Sequence, residues 1–147
     1  MELILWRHAD AHDGIPDFYR PLSGKGKQQA SEAATWLLPQ LDPTARLWVS
    51  PSLRTQQTAD TLNLSYQIID DLYFKQHPEK IIQLTGWPDE PGQTLIVGHQ
   101  PTLGQIILRL TQQANIEVKK NSIWWISSNY SSPAIIQNVY PGKLKPV

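Results

Sequence analysis

The sequence predicts a three-layer α/β/α fold with a mostly parallel central sheet and an antiparallel hairpin at its C-terminal edge. Short apolar runs alternate with segments of helical periodicity over most of the 147 residues, as in parallel sheets covered by helices. The last third instead holds two strand-like runs rich in Ile and Trp, separated by residues 129–133. At least one of Trp124 and Trp125 is expected in the core, although the pair could also stack on a ligand or form an interface. The length favours one domain spanning residues 1–147.

Each element is predicted from a short local pattern. The parallel strands are apolar runs at residues 2–6, 46–50, 66–69 and 94–97, and the hairpin strands lie at 122–128 and 134–140. Helical patterns cover residues 27–38, 51–62, 78–86 and 102–112. Ser23 is a good N-cap for the first helix, and Pro51 suits the first turn of the second. Gly86 and Pro88 stop the third helix.

The composition excludes several classes of function. Thirteen basic and thirteen acidic residues give zero net charge, so we expect no nucleic-acid or membrane partner. Cysteine is absent, which excludes disulfides, cysteine metal sites and cysteine nucleophiles. Neither a signal-peptide pattern nor an apolar run of about 20 residues is apparent. These features predict a cytoplasmic protein.

Polar residues follow three of the predicted parallel strands. Arg7 and His8 end the first, residues 50–59 follow the second, and residues 98–101 follow the fourth. The carboxyl ends of parallel strands meet at one edge of the sheet, and helix N-termini there attract anions. We therefore expect a small, positive phosphate pocket, requiring no metal, formed by Arg7, His8, Arg54 and His99.

Taken singly, these residues have simpler interpretations. Arg54 could be a solvated surface charge, and His99 could cap a helix. His12 and His77 have no comparable context, and we interpret both as ordinary loop histidines. The prediction of a pocket therefore depends on the three segments meeting in space.

At these positions the chain resembles the histidine phosphatase superfamily, which includes the phosphoglycerate mutases. The family pattern is Arg-His-Gly after the first strand, then Ser-Pro-x-x-Arg-x-x-Gln-Thr-Ala, and a late Gly/Ser-His turn. Residues 7–9, 50–59 and 98–99 match this pattern in order and spacing. Ala9 replaces the usual Gly, which we expect to be tolerated if φ there is negative. With residues 20–23 and the short length, the chain is most similar to SixA-type phosphohistidine phosphatases.

The resemblance implies a phosphoglycerate mutase-like fold and a phosphatase that needs neither metal nor cofactor. His8 would attack phosphorus, and water would hydrolyse the resulting phosphohistidine intermediate. Catalysis would be mostly positioning and electrostatics, because the transferring phosphoryl group is loose and highly charged. The phosphoryl oxygens would be bound by Arg7, Arg54 and a protonated His99.

The acid that assists the leaving group is left open between Asp71, after the third strand, and Asp17, in the loop after the first. Only residues 70–77 connect the third strand to the next helix, which is too short for a lid over a small substrate. An open pocket favours phosphohistidine on a partner protein as the substrate. The alternatives are a phosphatase of a small phosphorylated metabolite and a phosphate-binding module without catalysis.

Overall fold

The computed structural model describes residues 1–130 and 132–142 and contains a six-stranded mixed sheet. The strands are β1 (Glu2–Arg7), β2 (Arg46–Val49), β3 (Gln67–Ile68), β4 (Gln93–Gly98), β5 (Ile123–Ser127) and β6 (Ile135–Tyr140). The helices are α1 (Gly24–Leu37), α2 (Leu53–Asp60), α3 (Pro78–Thr85) and α4 (Thr102–Thr111). Strand order is β3-β2-β4-β1-β5-β6, with β3, β2, β4 and β1 parallel. The predicted fold class is confirmed.

Alternating side chains of β1 build the two halves of the core. Ile4 and Trp6 lie in a buried cluster that includes residues of α1 and α2. Leu3 and Leu5 lie in a second cluster with residues of α3 and α4. Because successive side chains of a strand point to opposite faces, helices cover both faces of the sheet. None of the helices in the described ranges is long and apolar enough to cross a membrane.

The hairpin forms as predicted at the C-terminal edge. β5 pairs antiparallel with both β1 and β6, and β6 is the edge strand. Trp125 is buried and Trp124 is half-buried against the core, so the pair contributes to packing. Ser131, within the predicted connection, lies outside the described residues.

Helix α1 begins at the predicted cap. The Ser23 side chain accepts a hydrogen bond from the Gly26 amide at 3.0 Å, which satisfies one free donor of the first turn. The helix also lies close to the chain after β1. A β-carbon at Gly26 would stand 1.9 Å from the Asp10 carbonyl oxygen, so only glycine fits there without movement.

The predicted start of α2 at Pro51 is wrong by two residues. The helix begins at Leu53 with Ser52 as its N-cap. Ser50 continues the sheet, because its amide donates to the Val97 carbonyl at 3.1 Å. The Thr55 hydroxyl donates to the Ser50 carbonyl at 2.7 Å, which ties the first helical turn to the strand end.

Two short 3₁₀ turns that the sequence patterns did not indicate lie in the loops, Asp17–Tyr19 after β1 and Asp70–Leu72 after β3. Two aromatic side chains join them. Phe18 and Tyr73 make an edge-to-face contact with ring centroids 5.2 Å apart. The loop after β1 and the loop after β3 therefore contact each other.

Candidate active site

The carboxyl ends of β1, β2 and β4 bring together the three segments singled out in the sequence. Arg54, on the first turn of α2, lies between two histidine rings. Its Nε is 3.4 Å from His8 Nε2, and its Nη2 is 3.4 Å from His99 Nδ1. The ring centroids of His8 and His99 are 5.4 Å apart. All three residues are less than a tenth exposed, so their charges are poorly screened by water.

His8 is held as a neutral imidazole whose unprotonated Nε2 faces the Arg54 guanidinium. Its Nδ1 lies 2.8 Å from the Ala9 carbonyl oxygen, which assigns the proton to Nδ1 and the lone pair to Nε2. Burial and the charges of Arg54 and Arg7 lower the pKa of His8 to about 4. The hydrogen bond to Ala9 acts in the opposite direction but is the smaller effect. Nε2 therefore carries a lone pair at neutral pH, and it accepts a long hydrogen bond from Arg54 Nε at 3.4 Å.

Ala9, the departure from the family pattern, fits its position. Its φ is not positive, so the added methyl group causes no backbone strain. The methyl is fully buried, and the amide donates to the Thr58 hydroxyl at 3.1 Å. Helix α2 thus fixes the backbone directly after His8.

His99 is also neutral in the free site. Its Nε2 lies 2.8 Å from the Ser50 hydroxyl, and its Nδ1 faces Arg54. Burial, followed by the charge of Arg54, lowers the pKa of His99 to about 3. The protonated form expected from the sequence thus requires a further negative charge in the pocket, such as a phosphate dianion.

Arg7 has one guanidinium nitrogen in use and another unsatisfied. Its Nη1 donates to the Val118 carbonyl at 2.9 Å, whereas its Nε is buried and has no hydrogen-bond partner among the described residues. Burial and the neighbouring Arg54 lower the pKa of Arg7, but a guanidinium keeps its charge in proteins. Across the described ranges, no three potential ligands cluster so as to hold a metal ion.

Of the two candidate acids, the structure brings Asp17 into contact with this group. Its carboxylate accepts from Arg54 Nη2 at 3.1 Å, and its carbonyl oxygen accepts from Arg54 Nη1 at 2.9 Å. Asp71 instead pairs with Lys80 at 3.1 Å. The exposed His12 and His77 lie in loops, as expected.

Asp17 is an ionised carboxylate in this arrangement. Burial acts to raise the pKa of Asp17. The pKa is nevertheless lowered to about 2, because the carboxylate accepts hydrogen bonds from Tyr73, Arg20 and Arg54 and lies beside the charge of Arg54. The Tyr73 hydroxyl donates to Oδ2 at 2.8 Å and Arg20 Nη1 donates to Oδ1 at 3.0 Å. A carboxylate so held is a poor proton donor at neutral pH.

Several residues that support the site were not singled out as site residues by the sequence. The backbone N–H of Asn121 lies 3.0 Å from the carbonyl oxygens of both Arg7 and His8. The Asn121 side-chain oxygen accepts a hydrogen bond from Trp6 Nε1 at 3.1 Å. Asn121 has a φ of 64°, a conformation that asparagine tolerates better than most residues. A lone asparagine before a strand gives no pattern that identifies this role. Tyr73, whose ring centroid lies 5.6 Å from that of His99, was missed for the same reason.

The first half of the chain matches a known family. The model of the histidine phosphatase superfamily (branch 1) matches residues 3–73, which carry Arg7, His8 and Arg54. Over these residues, just under half of the chain, the sequence is similar to the histidine phosphatase superfamily. The motif containing His99 lies beyond the matched region, and it completes the same pocket in three dimensions.

Two curated proteins match the chain at the same identity. The chain is 27% identical over 125 residues to phosphohistidine phosphatase SixA of Escherichia coli. This match covers 75% of this chain and 74% of that protein. It is also 27% identical over 101 residues to the uncharacterized protein ML1117 of Mycobacterium leprae. That match covers 67% of this chain and 63%, under two thirds, of the mycobacterial protein.

Solved structures of phosphatases with different names share this fold. The protein histidine phosphatase SixA complexed with tungstate has a TM-score of 0.74 at 23% identity, covering 95% of this chain and 96% of that chain. A phosphoserine phosphatase mutant from Entamoeba histolytica, in complex with phosphoserine, also has a TM-score of 0.74, at 15% identity and with the same coverage. The fold alone therefore does not select the substrate.

Proposed function

We propose that this protein is a phosphatase of the histidine phosphatase superfamily, which forms a covalent intermediate on His8 and acts on phosphohistidine in a partner protein. The observation that carries the proposal is the buried, neutral His8, whose unprotonated Nε2 accepts a long hydrogen bond from Arg54 Nε at 3.4 Å. A nucleophilic nitrogen beside a fixed guanidinium is the arrangement that phosphoryl transfer needs.

In the proposed reaction, His8 Nε2 attacks phosphorus and the bond to the leaving group breaks. The proton on Nδ1 stays on the ring and is stabilised by the Ala9 carbonyl while the ring becomes positively charged. Arg7 and Arg54 bind the equatorial oxygens, where charge is greatest in the transition state. Water then attacks the phosphohistidine, and inorganic phosphate leaves.

His99 is proposed to bind a phosphoryl oxygen through Nδ1, the nitrogen that faces Arg54 in the free site. Entry of a phosphate dianion favours the protonated ring, because an opposite charge within about 4–6 Å raises a histidine pKa. Ser50 holds the other nitrogen at 2.8 Å and so orients the ring.

A protein substrate is supported by the rim of the site and by the similarity to SixA. The rim consists of the two short loops that carry Phe18, Tyr19, Tyr73 and Phe74. Tyr19 and Phe74 are each about two thirds exposed, at 65% and 64%. Exposed aromatic side chains beside a pocket provide contact area for a protein surface.

The test is phosphate release from a protein phosphorylated on histidine, with and without EDTA. We expect turnover that EDTA does not reduce, together with acid-labile labelled phosphate trapped on the wild-type protein. His8→Ala should trap none and should lose at least about 10³-fold in rate, because the covalent route is removed. His77→Ala is the matched control, since His77 is an exposed loop histidine.

A panel of sugar phosphates, nucleotides and phosphoserine, assayed beside the phosphoprotein, distinguishes the alternatives. Higher kcat/KM for a metabolite by orders of magnitude would contradict the proposed substrate while leaving the nucleophile in place. Absence of both trapping and turnover on every substrate would identify a phosphate-binding module instead.

A further inference from the structure

Asp17 lies at the edge of the pocket, on the side of Arg54 away from His8. One guanidinium group joins the two residues: Nε is 3.4 Å from His8 Nε2, and Nη2 is 3.1 Å from Asp17 Oδ2. The Asp17 side chain is 51% exposed, whereas that of Arg54 is 8% exposed. A group bound to the phosphoryl being transferred at His8 would therefore lie near this carboxylate as it enters from solvent.

The Asp17 carboxylate retains capacity to bind a substrate. It accepts three hydrogen bonds from protein groups, from Arg54, Tyr73 and Arg20. Two carboxylate oxygens offer about four acceptor positions, and half of the side chain faces solvent. Burial, and then the hydrogen bond to Asp17, raise the pKa of Tyr73, which keeps its hydroxyl a donor to the carboxylate.

The leaving group of phosphohistidine differs from that of a phosphate ester in how it acquires its proton. An ester oxygen leaves as a strongly basic alkoxide unless an acid protonates it. A phosphorylated imidazole can instead carry a proton on its other ring nitrogen before reaction, since an imidazole pKa lies near 6.5. When the phosphorus–nitrogen bond breaks, its electron pair returns to the ring, which departs as neutral imidazole with that proton still in place.

We infer that Asp17 accepts a hydrogen bond from the protonated, non-phosphorylated ring nitrogen of the substrate phosphohistidine and so selects this leaving group over phosphate esters. This inference rests on the proposed function. The carboxylate stabilises the cationic substrate ring that reacts, and it transfers no proton itself. The Asp17 carboxylate also repels phosphate esters that carry a carboxylate of their own, because the two negative charges would approach each other at the edge of the pocket.

The test compares a phosphohistidine protein with p-nitrophenyl phosphate, whose phenolate leaves without a proton. Asp17→Asn keeps the shape of the side chain and removes the charge. We expect the ratio of kcat/KM for phosphohistidine to that for p-nitrophenyl phosphate to fall about 10- to 100-fold, as for loss of one charge-assisted hydrogen bond. Asp17→Glu retains the charge and should recover part of the ratio.

Asp71→Asn is the matched control, because it makes the same chemical change at a carboxylate that pairs with Lys80 and not with Arg54. Its ratio should stay within about threefold of the wild-type ratio, since the discrimination is ascribed to the charge of Asp17. An Asp17→Asn variant that loses both activities equally, so that the ratio is unchanged, would show that Asp17 only positions Arg54 and would overturn the inference. A wild-type protein inactive on phosphohistidine but active on esters would overturn the proposed function as well, so the two failures are distinguishable.

Discussion

His8 is an unprotonated imidazole in a strongly positive neighbourhood, and its Nε2 accepts a hydrogen bond from Arg54. The ring stays unprotonated because burial and the nearby guanidinium groups make a second positive charge unfavourable. His99, 5.4 Å away, is subject to the same effects. The site thus holds two neutral imidazoles and uses arginine for its positive charge.

A titration of the imidazole nitrogens by ¹⁵N NMR should show this directly. His8 should titrate near pH 4 and His99 near pH 3, against about 6.5 for the same rings in urea-unfolded protein. Saturating phosphate should raise the pKa of His99 by about a unit or more, because it supplies the opposite charge. Midpoints at or above 6.5 in the free folded protein would contradict the assigned neutral state.

At the scale of elements, local sequence patterns predicted all six strands and four helices. The apolar runs of β1 and β4 reflect burial within the sheet, whereas both residues of β3 are exposed. Ser23 and Gly86 marked helix ends through local backbone chemistry that the sequence displays. The start of α2 was misplaced because Ser50 makes a sheet hydrogen bond to a strand distant in sequence. Such contacts are not visible in a local pattern.

The meeting of α1 with the chain after β1 gives a test at this scale. Gly26→Ala would place a β-carbon 1.9 Å from the Asp10 carbonyl oxygen, a backbone atom that must then move. We expect the free energy of unfolding to fall by about 1–3 kcal/mol, measured by urea denaturation. Gly24→Ala in the same helical turn is the control, because its β-carbon would meet nothing within 4 Å. Equal stability of the two variants would show that the close approach does not matter.

At the scale of the whole molecule, the four side chains predicted to form one pocket come from three segments that follow β1, β2 and β4. These segments meet because the three strands are adjacent and parallel. That convergence could be predicted, since it follows from the general geometry of α/β sheets. Their catalytic roles stay predictions. The hydrogen bonds from Asn121 to the backbone of Arg7 and His8 could not be predicted, because they join residues more than 110 positions apart.

The depressed pKa values of His8 and His99 also affect global stability. The unfolded chain binds protons at these rings below about pH 6.5, whereas the folded protein binds them only near pH 4 and 3. The unfolded state therefore gains protons first, and the free energy of unfolding should fall by on the order of a few kcal/mol between pH 6.5 and 4.

Urea denaturation at several pH values across this window measures the effect. His99→Asn, which removes one of the two ionisable rings, should show a shallower dependence on pH than the wild-type protein. A wild-type free energy of unfolding that is constant or rises as the pH falls would contradict the predicted linkage.

Strand β1 is hydrogen-bonded along both of its edges, to β4 over Glu2–Arg7 and to β5 over Glu2–Trp6. An amide in such a strand exchanges with solvent only when the sheet as a whole opens, whereas a loop can open by itself at a small cost in free energy. His8 directly follows this doubly paired strand, while Asp17 stands on a loop. The loop that carries Asp17 can therefore open at a lower cost in free energy than the strand that precedes His8.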